Sequence, residues 1–136
     1  MATMMLSPAE IGHRKEIARE AFELIKRNLP IESADEQCLI TTYRNFYLQI
    51  SISDVHPLIV FCFVRAVPKE DYFPFHKINE MNLACLYGCH CLDADAQCYA
   101  YRAIHWLDCE LSMDRLLEIL DRCAEEAMRG YEKLCD

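Results

Sequence analysis

The sequence predicts an α+β fold with three helices packed on a five-stranded, largely antiparallel sheet, and three observations carry that prediction. An apolar stripe of helical period precedes Pro30, and the period changes to two between residues 37 and 67. The stretch 75–136 then reads as helix, two-stranded hairpin, helix. The expected order is helix, three strands, helix, two strands, helix, in one domain spanning 1–136, a length that buries one core and leaves no room for a second.

The first helix has a well-marked start. Ser7-Pro8-Ala9-Glu10 puts a hydroxyl at the N-cap, proline at the first helical position and a carboxylate where a capping box wants one. Asn28-Leu29-Pro30 stops it. Ile11, Ile17, Ala18, Ala21, Phe22, Ile25 and Leu29 share one stripe, so one side lies on a core. Strand signals follow: a first strand over 38–43, a turn at Arg44-Asn45, then Phe46, Leu48, Ile50 and Ile52 alternating with Tyr47, Gln49 and Ser51. The third strand, 58–64, is apolar on both faces and is expected to be covered on both, by helices on one side and by more chain or a second subunit on the other.

Pro68 and Pro74 bracket an acidic connector into a second helix expected from about Pro74 to Tyr87. Phe75, Ile78, Met81, Cys85 and Leu86 form its apolar stripe, with Asn82 in the middle. A buried amide must have its donors and acceptor satisfied, so Asn82 is expected to tie the helix to a strand end or loop, with ligand binding as the other reading. Leu83 and Tyr87 sit on the flank beside His76 and Glu80, where a monomer prefers polar residues. They are the candidates for a contact with another chain, the alternative being cover by a neighbouring loop. The hairpin is expected over 89–92 and 97–107, with the turn at 93–96. The last helix starts at Ser112, carries Met113, Leu116, Leu117, Leu120, Ala124, Ala127, Tyr131 and Leu134 inward, and pairs Glu118 with Arg122 and Glu125 with Arg129 outside. Gly130 in that helix either permits a close approach to the sheet or marks fraying.

Composition excludes several functions. With 14 Lys and Arg against 22 Asp and Glu, a net charge of -8, the chain offers no footprint for nucleic acid or for an anionic membrane. The longest uncharged apolar run, 55–64, is half the ~20 residues of a spanning helix. The amino terminus lacks a charged segment followed by a long apolar one, so no secretory signal is expected and the chain is placed in the cytoplasm. Nine cysteines, an odd number scattered over apolar positions, read as reduced thiols.

Chemistry is hard to find. Cys85, Cys89, His90 and Cys91 have metal-ligating side chains, but on a strand Cys89 and Cys91 share a face that His90 does not, and no second C-x2-C pair exists. Cys98 could face Cys91 or Cys89 across the hairpin, which keeps a thiol- or zinc-dependent regulator using Cys89, Cys91 and Cys98 as the alternative function. Asp93-Ala94-Asp95 begins like a calcium loop, yet Cys98 and Ile104 stand where it needs glycine and an acid. The five histidines offer no family-specific nucleophile context, and 3 separated glycines form no phosphate loop. No cofactor is expected and no enzyme activity.

The segment Ile78-Asn79-Glu80-Met81-Asn82, then Gly88, Cys91-Leu92-Asp93, Tyr101-Arg102 and Tyr131-Glu132-Lys133-Leu134 resembles the YbjN-like family of bacterial proteins, which shares the fold of type III secretion chaperones such as the Tir chaperone. Element order is similar over nearly the whole chain, and residue likeness is confined to about 78–134. The family's hairpin turn usually contains glycine; the one here has none, which points to a longer loop. The resemblance implies an α+β fold, a homodimer, and chaperone-like or regulatory binding of an unidentified protein or peptide.

Overall fold

The computed structural model describes residues 6–68 and 74–135. The acidic connector, 69–73, lies outside the described residues, as does 1–5. Helix α1 (Pro8–Asn28) begins where Ser7 Oγ accepts the backbone N–H of Glu10 at 3.1 Å. It ends at Leu29 and buries Ile17, Ala18, Ala21, Phe22 and Ile25. The remaining elements are β1 (Ser33–Ala34), β2 (Cys38–Tyr43), β3 (Phe46–Ile52), β4 (Leu58–Ala66), α2 (Phe75–Leu83), β5 (Cys89–Asp93), β6 (Cys98–Trp106) and α3 (Met113–Cys135).

The strands form one sheet in the order β1-β2-β3-β4-β6-β5, with every neighbouring pair antiparallel. Six strands replace the five expected. The extra one, β1, has two residues, both exposed, so neither alternation nor an apolar run marks it in the sequence. It is placed by its surroundings: Glu32 N–H donates to the Ile40 carbonyl at 2.9 Å, Asp35 N–H to the Cys38 carbonyl at 2.9 Å, and the Thr41 hydroxyl to the Pro30 carbonyl. Arg44 and Asn45, at φ 49° and 69°, make the two-residue β2–β3 turn that sets Tyr43 opposite Phe46. The β5–β6 connection is longer, running over 94–97. There Asp93 Oδ1 accepts the N–H groups of Asp95 and Ala96 at 3.1 Å each, and Gln97 takes a positive φ.

Alternation buries one face of the sheet. Leu39, Leu48, Ile50, Ile59, Phe61, Phe63, Tyr99 and Tyr101 meet α1 and α3 with almost no exposed surface. Phe46 packs edge-on against Phe63 (ring centroids 6.0 Å apart) and against Tyr131 (6.2 Å), and the Arg65 guanidinium lies 4.5 Å above the Tyr131 ring. All three helices lie on this face. On β4, therefore, Ile59, Phe61 and Phe63 are enclosed, whereas Val60, Cys62 and Val64 point the other way and stay half-buried. The expected second cover does not come from the described chain.

Helix α2 is shorter than its apolar pattern, ending at Leu83 rather than Tyr87. Leu86, expected inside, is 81% exposed. The cause is polar. Residues 86–88 are drawn out of helical geometry to reach a carboxylate on α3, and that carboxylate organises the corner.

Candidate functional site

Glu126 sits among the apolar residues of α3 and is buried. Its Oε2 accepts the Leu86 N–H at 2.8 Å, and its Oε1 accepts those of Tyr87 at 3.0 Å and Gly88 at 3.2 Å and the Tyr101 hydroxyl at 2.5 Å. Burial pushes the carboxyl pKa up, but the Tyr101 hydroxyl and the three backbone donors outweigh it, and the net direction is down. One side chain thus satisfies three consecutive backbone donors in the non-helical segment that follows α2. Gly88 is required here because a Cβ would stand 2.5 Å from the Arg102 carbonyl oxygen and 2.8 Å from the Tyr101 ring.

Asn82 is the second tie. Its Nδ2 donates to the His90 carbonyl at 2.9 Å and its Oδ1 accepts the His90 N–H at 2.6 Å, so the amide pairs with the β5 backbone as a neighbouring strand would. Below it, the Tyr99 hydroxyl donates to the Ala127 carbonyl at 3.1 Å, which leaves its oxygen to accept from His90 Nδ1 at 2.6 Å. His90 therefore carries a proton on Nδ1, and burial lowers its pKa. Gly130 makes room for this pair, since a Cβ there would lie 2.4 Å from the His90 ring and 2.8 Å from the Tyr99 hydroxyl. It serves close approach.

The corner so fixed presents Leu83 (90% exposed) and Leu86 outward. Tyr87 is less exposed, and its hydroxyl accepts from Arg122 Nη1 at 3.2 Å. Tyr87 also walls a groove of about 460 Å³ that runs between the end of β6 and the first half of α3 and is lined by Phe61, Ala103, Leu107, Leu111 and Ile119. Arg115 and Arg122 edge this groove, converging on Glu118 at 2.9 and 2.8 Å.

The other surface is the outer face of the sheet. Ladder register puts its side chains in rows: Val60 beside Ile104, Leu58 beside Trp106, and Tyr47 beside Val64 and Ala100. Tyr47 is 61%, Ile104 42% and Trp106 57% exposed. Between the two apolar ends lies a polar row, with Gln49, Cys62, Arg102 and Cys89 side by side. The sequence revealed β4 as apolar on both faces, but not that Ile104 and Trp106 extend the same patch. Glu126 carries a signal in the sequence, a carboxylate in line with Ile119, Cys123 and Gly130 on the packed side of α3.

Cys89 and Cys91 lie within hydrogen-bond reach of each other, but Cys98 does not join them. Cys98 pairs with Asp93, not with Cys91 or Cys89 as the sequence allowed, because the four-residue loop lies one residue later than expected, at 94–97 instead of 93–96. Cys91 stands opposite Ala100 and Cys89 opposite Arg102. Among the described residues no group of three His, Cys, Asp or Glu side chains is placed to hold a metal ion. All nine cysteines are free. Burial raises the pKa of Cys62 and Cys91, the opposite of what a reactive thiol needs. Zinc or thiol regulation centred on Cys89, Cys91 and Cys98 gains no support from this arrangement.

An antiparallel sheet, covered on one side by three helices and open on the other, belongs to the α+β class of secretion chaperone-like folds. The solved structures it is similar to include YbjN of E. coli, with TM-score 0.62 and 12% identity over 83% of this chain and 87% of that one. A chain of the HopA1-SchA chaperone-effector complex has TM-score 0.62 and 14% identity, covering 94% of this chain and 99% of that one. A third, from the Yersinia pestis type III secretion chaperone SycH in complex with a fragment of YscM2, has TM-score 0.56 and 14% identity, covering 85% and 98%. At these identities the likeness is one of fold. No protein-family model and no curated protein matches the sequence. Among the described residues no helix is long and apolar enough to cross a membrane.

Proposed function

We propose that this chain is a non-enzymatic, chaperone-like or regulatory protein-binding module that works in the bacterial cytoplasm as a homodimer on a segment of another protein. The observation that carries the reading is the outer face of the sheet, where Tyr47, Val60, Ile104 and Trp106 form apolar ends that the three helices leave uncovered. Fold neighbours support it, because SchA and SycH were solved in complex with protein partners, an effector and a YscM2 fragment. Leu83 and Tyr87, with Leu86, are assigned to the dimer contact, and the sheet face to the partner.

Affinity capture with the 136-residue chain and a Val60→Asp, Ile104→Asp variant tests the assignment of the sheet face. A protein recovered by the wild type and lost by the variant, with the circular dichroism of the two unchanged, supports the reading. Equal recovery by both removes the sheet face from it.

A further inference from the structure

Strand β6 is covered unequally on its two sides. β4 pairs with it along its full length, from Ala66 opposite Cys98 to Leu58 opposite Trp106, whereas β5 stops where Cys89 meets Arg102. Among the described residues, 103–106 thus have a strand neighbour on the β4 side alone. The backbone direction there follows from Gly88, whose missing Cβ would stand 2.5 Å from the Arg102 carbonyl oxygen, so that carbonyl faces the β5 side. In an antiparallel ladder the N–H and C=O of one residue point the same way and successive residues alternate. Ile104 and Trp106 therefore present both groups to the uncovered edge. The alternation holds at the next position, where Leu107 N–H points the other way and donates to the Pro57 carbonyl at 2.9 Å.

The chain's own continuation of β5 is kept off this edge. Glu126 holds the N–H groups of Leu86, Tyr87 and Gly88 in the helix layer, so the backbone that would otherwise extend β5 turns away just before Cys89. What remains beside 103–106 is the groove between β6 and α3, with an apolar floor and with Arg115 and Arg122 at its margin. Those two guanidiniums share the single carboxylate of Glu118 and are each more than half exposed, so they keep N–H donors to spare. Asp108, the other acid of the groove, is engaged by the Cys109 thiol. A row of unpaired strand donors and acceptors is matched by one kind of occupant, another extended backbone.

We infer that residues 103–106 of β6 are a docking edge for an extended segment of a partner protein, which places an aliphatic side chain in the groove and, two residues along on the same face, a carboxylate against Arg115 and Arg122. The inference deepens the binding-module reading and rests on it, naming the backbone and the side-chain chemistry of the segment recognised.

The probe is the synthetic peptide acetyl-Thr-Leu-Thr-Glu-Thr-Val-amide, added to the isotope-labelled chain and followed by amide shifts and hydrogen exchange. Expected are shifts and slowed exchange at the Ile104 and Trp106 amides, and at least about tenfold weaker binding to an Ile104→Pro variant. That proline removes a donor pointing away from β4, the position in which an edge strand tolerates it. Should the variant not fold, the peptide N-methylated at alternate amides replaces it, with the same expected loss. Exchanging the peptide's glutamate for lysine is expected to weaken binding several-fold at low salt, with the gap closing as salt rises. Binding that leaves the Ile104 and Trp106 amides unmoved and shifts the outer sheet face instead overturns the edge while sparing the binding-module reading. A dimer by light scattering whose mass falls to that of the monomer in Ile104→Pro assigns the edge to a second copy and also overturns the inference. No shift anywhere at millimolar peptide overturns the recognition chemistry stated here.

Discussion

Tyr101, on the inner face of β6, donates its hydroxyl proton to Glu126 on α3 at 2.5 Å, and this contact ties the sheet to the corner that carries Leu83, Leu86 and Tyr87. Replacing one carboxylate oxygen by an NH2 group leaves at least one of the four donors that Glu126 accepts facing another donor. Glu126→Gln is expected to lower stability by about 1–3 kcal/mol in urea unfolding. Amide exchange at residues 86–88 is expected to rise more than in the centre of the sheet. Equal acceleration everywhere would show that the carboxylate does not hold this corner.

Acid should loosen the same region in two stages. His90 has its pKa lowered by burial, so its neutral form supports the fold fully above the unfolded value of about 6.5, and that support is lost as pH falls through the folded value. Glu126 is also lowered. Its contribution is complete above the unfolded carboxyl value of about 4.3 and disappears on further acidification. Unfolding free energy measured from pH 7.5 downward is therefore expected to fall first below about pH 6.5. A His90→Gln variant should show a smaller first decline, the remainder belonging to His105, whose pKa burial also lowers.

Two helical glycines should respond oppositely to alanine. At Gly12 a Cβ meets nothing within 4 Å, so Gly12→Ala is expected to stabilise by about 0.5–1 kcal/mol. At Gly130 the new methyl runs into the His90 ring and the Tyr99 hydroxyl, and a loss of about 1–3 kcal/mol is expected. Thermal melts of the pair decide it, and a gain at Gly130 would contradict the close packing described.

Light scattering tests the dimer contact. The wild type is expected at twice the chain mass and a Leu83→Asp, Tyr87→Asp double variant at the chain mass. Both residues lie outside the core, so the variant should keep its secondary structure. Identical masses would remove this corner from the interface.

Thiol titration separates packing from chemistry. Burial pushes Cys123 up to about 11, and burial followed by the charge of Glu126 pushes Cys85 up to about 12. Both are expected to stay silent toward a disulfide reagent at pH 8 until denaturant is added. Prompt modification of either would mean that the region opens readily.

Most elements could be read from side-chain period alone. Ser7 and Pro8 mark the start of α1, Phe46 to Ile52 alternate as β3 does, and Arg44-Asn45 is the turn of a hairpin. What stayed hidden depends on contacts distant in sequence. Strand β1 exists because Ile40 and Cys38 offer it carbonyls, and α2 stops early because Glu126, far along the chain, takes the backbone donors of residues 86–88. Asn82 was conspicuous as an amide on an apolar stripe, but its partner, the His90 backbone, was not. The uncovered end of β6 was invisible for a related reason: strand lengths are legible in one dimension, and their mismatch with a neighbour is not.

The order of strands also sets how the molecule must assemble. β1 to β4 follow one another and can zip up by local turns, and β5 with β6 forms a separate hairpin. Joining the two requires Leu58 to find Trp106 across all of α2 and the hairpin, a closure with a large entropic cost before any contact rewards it. The slow step of folding should therefore be the meeting of β4 with β6. Until it is complete, β4 is a greasy strand with an open margin, which is when a newly made chain is most exposed to aggregation.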